Sequence, residues 1–263
     1  MQPMLNIALR AARLASEQVQ RAQDKVEIVR SEKDEINELI EETVNNAEKT
    51  VAYTIQKAYP NHALQGQFSG DYPSTTAKTD ATWYISAIDN VANFSKGIPQ
   101  IAICLAALIN GKVEHTVVIN PVTGEEYTAS RGHGAILNGR RIRVTDNKGL
   151  ENATISTSFA DTTGDKSLLE NHLNMCTKLH SNRGLLQNTG SAVLNFANVA
   201  AGRIDGSYAD NLQLATTLAS ALLIQEAGGL AGDLAGGANF KKTKSLVAGN
   251  AKVFKSLVQA IHA

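Results

Sequence analysis

The 263-residue chain carries 43% hydrophobic side chains, 25 Lys plus Arg against 25 Asp plus Glu, and two cysteines. A chain of that length and composition can bury a full core, so it is neither a peptide nor a disordered tail. The cancelled charge excludes attraction to nucleic acid, anionic lipid or acidic substrate by an overall field, leaving only local patches for such contacts. Cys104 and Cys176 lack metal-pair spacing and the density of a secreted disulfide scaffold, and read as buried free thiols. The opening residues lack the charged and then apolar regions of a signal peptide, and no later run stays apolar long enough to span a bilayer. A cytoplasmic protein without membrane contact is expected.

Leu5, Ala8, Ala12, Ala15 and Val19 fall at helical spacing and predict an amphipathic first helix. Ser31 and Asp34 suggest a capping box, followed by a stripe of Ile36, Ile40, Val44, Ala47, Val51 and Ile55 that ends before Tyr59-Pro60. Residues 63–81, rich in Gly, Pro, Ser and Thr, predict a loop. Strands are expected at 83–88, 101–109, 112–119, 125–131 and 140–145, with Asn110-Gly111 as a tight hairpin turn, which gives a largely antiparallel sheet. Beyond residue 150, strands at 154–158, 184–188, 207–208, 230–233 and 245–248 alternate with helices at 166–178, 191–201 and 216–227. A last helix is capped by Asn250. The pattern predicts an N-terminal α+β half, residues 1–150, and a C-terminal α/β half, residues 151–263, packed as one unit.

Taken alone, the polar residues point to little chemistry. The six histidines are scattered without the spacing of a zinc site. Glu38, Glu41 and Glu42 fit a solvated helix face, and Gly132-His133-Gly134 and Gly228-Gly229 fit backbone turns rather than nucleotide fingerprints. Arg131, Arg140, Arg141 and Arg143, with Lys241, Lys242 and Lys244, form modest basic patches that offer an RNA or phosphate contact. They lack the interleaved aromatics of a nucleic-acid surface.

Longer stretches resemble the inositol monophosphatase family, in its bacterial SuhB-like branch. They are the opening 1–13, the block Arg131-Gly132-His133-Gly134-Ala135-Ile136-Leu137-Asn138-Gly139, and Thr189-Gly190-Ser191-Ala192 through Ala201-Gly202-Arg203-Ile204-Asp205-Gly206. Glu226-Ala227-Gly228-Gly229 and Val247-Ala248-Gly249-Asn250 complete the likeness. The resemblance covers nearly the whole chain and implies a layered αβαβα sandwich. It also implies phosphate monoester hydrolysis with several magnesium ions, which clustered carboxylates must neutralise.

Those carboxylates are largely replaced. The family's Gly-Glu-Glu loop falls on Gly66-Gln67-Phe68, and its Asp-Pro-Ile/Leu-Asp-Gly-Thr-Thr-Asn-Phe signature falls on residues 86–94. Ser86 stands for the bridging aspartate, Asn90 for the glycine against phosphate, and Val91 for the threonine that orients water; Asp89 remains. The later Trp-Asp pair falls on Ala215-Thr216, and the glutamate that would grip a substrate hydroxyl falls on Ala209. An Asp-x-x-Thr-x-x-Asp helix motif falls on Glu38, Glu41 and Val44. Gln67 and Phe68 are expected to fill the vacated cavity, and Asp89 and Asn93 to bond the turn after a buried strand.

The resemblance therefore implies a catalytically inactive phosphatase-fold protein, with no catalytic, metal or substrate residues and no cofactor. Its implied partners are Nus factors and RNA polymerase in antitermination of ribosomal RNA transcription, and its implied state is a homodimer. Two alternatives stay open. One is a magnesium-dependent inositol-1-phosphate or sugar phosphatase using Asp89 with ligands relocated to Asp71, Asp80 or Asp210. The other is a regulatory subunit that pairs with an active paralogue.

Overall fold

The computed structural model describes residues 2–29, 31–76, 79–158 and 166–262; Met1, which opens the resemblance, lies outside them. Two long helices, α1 (Pro3–Val29) and α2 (Lys33–Ala58), form the first layer, and their apolar stripes supply its buried face. The expected capping box is absent. The residue before α2 is Glu32, which makes no side-chain cap bond, so the first turn of the helix relies on Asp34 and Glu35 to complement its dipole.

The second layer is an eight-stranded sheet ordered β2-β1-β3-β4-β5-β6-β7-β8. Its members are β1 (His62–Gln65), β2 (Asp71–Tyr72), β3 (Ala81–Ser86), β4 (Ile103–Ile109), β5 (Lys112–Asn120), β6 (Glu125–Ser130), β7 (Gly134–Leu137) and β8 (Arg140–Ile142). Every pairing is antiparallel except that of β1 with β3. β1 and β2 correct the expectation of a continuous loop over 63–81, and β7 emerges directly from what reads as a glycine turn. The β4–β5 hairpin turns at Asn110 and Gly111, whose φ values of 50° and 76° give the two left-handed residues of a tight turn that matches the right-handed twist of the strands.

The third layer is α5 (Ala192–Ala200) and α6 (Leu214–Glu226), preceded in the chain by the short α3 (Val91–Phe94) and by α4 (Lys166–Ser181). α6 is apolar almost all round, with ten successive buried residues from Ala215 to Ile224, as a helix wedged between two sheets requires. The fourth layer is a five-stranded sheet ordered β10-β9-β11-β13-β12, made of β9 (Thr154–Thr157), β10 (Leu185–Asn188), β11 (Gly206–Ala209), β12 (Leu230–Gly232) and β13 (Leu246–Gly249). α4 and α8 (Ala251–His262) cover its outer face, and a one-turn helix, α7 (Phe240–Thr243), precedes β13.

Three apolar cores hold the αβαβα sandwich together. The first joins α1 and α2 to the large sheet through Trp83, Ile85, Ile103 and Leu105. The second places Phe196, Leu218 and Leu222 between the sheets, against Cys104, Val118 and Leu246. The third seats Met175, Leu179, Val253 and Leu257 on the small sheet. Each fully buried large side chain contributes about 2 kcal/mol. Trp83 also donates from Nε1 to Nδ1 of the buried His62 at 3.1 Å, and burial lowers the affinity of that imidazole for a proton.

Candidate functional site

The site forms where β3 ends. Ser86, Ala87 and Ile88 are buried, and the chain then turns through Asp89, whose backbone N–H donates to Ala102 O at 2.9 Å. Asn90 caps α3 by accepting from the Asn93 N–H at 2.8 Å. Asn93 in turn donates from Nδ2 to Gln100 O at 2.8 Å and to Thr189 O at 3.0 Å, tying the turn to the segment before α5. Gly190 leaves this approach open: its φ is 85°, and a Cβ there would lie 2.7 Å from Asn90 Nδ2.

Four of the positions singled out in the sequence converge. Ser86 Oγ donates to Gln67 Oε1, so the two neutral groups satisfy each other. Ser191, which caps α5 by accepting from Leu194 N, donates its hydroxyl to Asp89 Oδ2. Thr216, in the first turn of α6, donates to Asp89 Oδ1 at 3.4 Å, and its Oγ1 lies 3.9 Å from Cys104 Sγ on the strand beside Ser86. Burial pushes the Asp89 carboxyl up to about 6, although the Ser191 hydroxyl, the Val193 N–H and the Thr216 hydroxyl all pull it down. The same burial, with the nearby Asp89 charge, raises the Cys104 thiol and keeps it protonated.

Other expected positions lie apart from this centre. Ala209 is buried on β11 within the core between the sheets and presents no polar atom. Val91 begins α3 and packs against the first core. Glu38, Glu41 and Glu42 are exposed on α2, whereas Val44 is buried. Phe68 corrects the expectation of a filled cavity: it is 55% exposed, and Gln67 alone turns inward to a partner. Asp71 and Asp210 are exposed, Asp80 accepts from Asn61, and Asp210 accepts from its neighbour Asn211. Among the described residues no group of three His, Cys, Asp or Glu side chains is placed to hold a metal ion. The basic patches are exposed, and Arg131, Arg141 and Lys241 donate to backbone carbonyls of Val113, His133 and Gly111. Both thiols are free, with Cys104 buried and Cys176 half-buried.

A residue that sequence reasoning passed over organises the site. Glu48 on α2 is fully buried, and its carboxylate accepts from the N–H groups of Gln67 at 2.8 Å, Phe68 at 3.3 Å and Ser69 at 3.0 Å, as well as from the Ser69 hydroxyl. This clamp sets the turn that delivers Gln67. The available signal is its spacing, since Glu48 follows Ala47 and lies four residues after Val44 on the apolar stripe, where an anion must find donors. Glu226 plays a similar part across the molecule, accepting from Gly132 N at 2.8 Å and Gly134 N at 2.7 Å.

Known proteins resemble this chain from end to end. The Nus factor SuhB of Pseudomonas aeruginosa is 41% identical over 261 residues, covering 99% of this chain and 96% of that protein. The Nus factor SuhB of Escherichia coli is 36% identical over 258 residues, covering 98% and 95%. The crystal structure of extragenic suppressor protein suhB from Bartonella henselae superposes with a TM-score of 0.85 at 28% identity, covering all of both chains. That of an inositol monophosphatase from Anabaena superposes with a TM-score of 0.83 at 25% identity, covering 98% and 94%. The family model for inositol monophosphatases matches residues 1–263, and the chain belongs to the inositol monophosphatase family.

Proposed function

We propose that this protein is a catalytically inactive member of the family that acts as a Nus factor, serving antitermination of ribosomal RNA transcription in the cytoplasm through Nus-factor and RNA polymerase contacts. The observation that carries the loss of activity is the Ser86–Gln67 hydrogen bond, with Asp89 the one carboxyl left among the positions that the family resemblance assigns to metal. Magnesium is a hard ion that takes anionic oxygens in octahedral geometry, and several such ions beside a phosphate need several carboxylates. An amide, two hydroxyls and one carboxyl, already bonded to one another, do not fit that group. The transcription role is supported by the Nus factor SuhB relatives, at 41% and 36% identity over nearly full length.

A homodimer completes the reading. Leu185 lies on β10, the edge strand of the small sheet, and is 64% exposed, while Leu169 and Leu173 project together from α4. Among the described residues no strand pairs with the outer edge of β10, and such an edge with apolar side chains suits pairing. Leu185→Asp is expected to convert a dimer to a monomer in light scattering. Among the described residues no helix is long and apolar enough to cross a membrane.

Two measurements test the whole. Affinity capture with the full chain is expected to recover transcription components, and recovery of an unrelated assembly would remove the antitermination role. An assay with magnesium on inositol and sugar phosphates is expected to show no turnover; turnover abolished by Asp89→Asn would instead establish a phosphatase.

A further inference from the structure

The outer face of the α1–α2 layer, away from the sheet and from the site at Asp89, carries a preformed groove of about 810 Å³. Its floor is apolar, with Ile7, Leu14, Ala22 and Leu39, and Leu14 is 39% exposed. Its rim carries Arg10, Arg21, Lys25, Lys49 and Lys57 against one carboxylate, Glu42, with Glu17 lying 3.6 Å from Arg21. Since the whole chain is neutral, five cations to two anions, Glu17 included, is a local segregation of charge. Both walls follow helical spacing. On α1 the stripe runs Arg10, Leu14, Gln18, Arg21 and Lys25, and on α2 it runs Leu39, Glu42, Asn46, Lys49, Tyr53 and Lys57. Gln18 Nε2 donates to Thr50 Oγ1 at 2.9 Å and ties the helices together midway, so the groove exists before anything enters it.

We infer that this groove receives an acidic amphipathic helix of a protein partner, its apolar side chains in the floor and its carboxylates against the rim. Ile7 and Lys25 lie eighteen residue steps apart, about 27 Å at 1.5 Å per step, which suits a helix of about five turns. Charge complementarity selects an anionic occupant, and the apolar floor selects a helix over single-stranded RNA. An RNA channel needs a succession of open aromatic faces. Tyr53 is the aromatic residue among those that line the groove, and the Lys57 ammonium already sits 5.8 Å from its ring centroid. The inference goes beyond the antitermination role, because it concerns the chemistry of the helix and holds whichever assembly supplies it.

The test is a fluorescence anisotropy titration of the full chain with a labelled 18-residue peptide that has leucines along one helical face and glutamates on both flanks. A scrambled peptide of identical composition and a labelled 12-nucleotide oligouridylate are measured beside it. The patterned peptide is expected to bind at least tenfold more tightly than either. Arg21→Glu with Lys49→Glu is expected to weaken it at least tenfold and Leu14→Asp about fivefold, while Lys252→Glu on α8 leaves it unchanged. Circular dichroism melts confirm that these exposed substitutions leave the fold intact. Absence of binding, equal binding of the scrambled peptide, tighter binding of the oligouridylate, or equal weakening by Lys252→Glu would each overturn the inference. Failure to capture transcription components removes the antitermination reading and leaves this titration standing.

Discussion

Two sets of polar positions in this molecule have opposite fates. At the end of β3, Gln67, Ser86 and Thr216 stand where the family resemblance places metal carboxylates, and they are neutral and bonded to one another or to Asp89. Elsewhere, Glu48 and Glu226 are carboxylates whose oxygens accept backbone N–H groups of the 67–69 and 132–134 turns. A carboxylate facing cations becomes a liability once the cations are gone, because like charges then share a desolvated hollow. One that accepts peptide N–H groups carries its own compensation and holds a turn in place. Glu48 and Glu226 are acids that serve the scaffold.

Placing the acids that the family resemblance implies at these positions should break the pattern most severely. The triple variant Gln67→Glu, Ser86→Asp, Thr216→Asp puts three charges beside Asp89 and is expected to lose about 4 kcal/mol in chelator, measured by denaturant melts. Magnesium should return part of that loss in the variant and leave the parent chain unmoved; stabilisation of the parent by magnesium would show that its hollow still gathers ions. Next comes Glu48→Ala, which deprives three N–H groups of a half-buried turn of their acceptor and is expected to cost about 3 kcal/mol, with proteolytic nicking first at the 66–70 turn.

Asp89→Asn should act in the other direction. The folded carboxyl keeps its proton until about pH 6, whereas an unfolded aspartate releases it near 4. The fold therefore binds more protons in that window, and stability falls as pH rises from about 4 to about 6. The amide removes this loss, so the variant is expected to gain on the order of 2 kcal/mol at pH 7 and little at pH 4. A loss of stability at pH 7 would contradict the assigned environment. The smallest effect is expected from Glu226→Ala, about 1 kcal/mol, read as faster hydrogen exchange confined to the Gly132 and Gly134 amides.

Much of the framework is legible before any coordinates. Long periodic stripes disclose α1 and α2, the Asn110-Gly111 turn discloses a hairpin, and Ser191 and Asn250 disclose the starts of α5 and α8. What escapes is short or borrowed. β1 and β2 hold four and two residues, and β1 exists by pairing with β3, so its local sequence reads as loop. β7 is drawn out of a glycine turn by β6, and α7 is one turn long. The replaced site positions are found through family likeness, because an amide or hydroxyl in isolation announces nothing. Glu48 escapes because a charged residue in a helix reads as solvated until its neighbours on the stripe are counted.

The double bonding of Ser191 has a mechanical outcome. One hydroxyl both starts a helix of the second half and grips an acid at the end of a strand of the first. Asn93 adds a second stitch to Thr189. The two halves are thus stitched together by side chains from both, and heat is expected to undo both sheets in a single calorimetric transition.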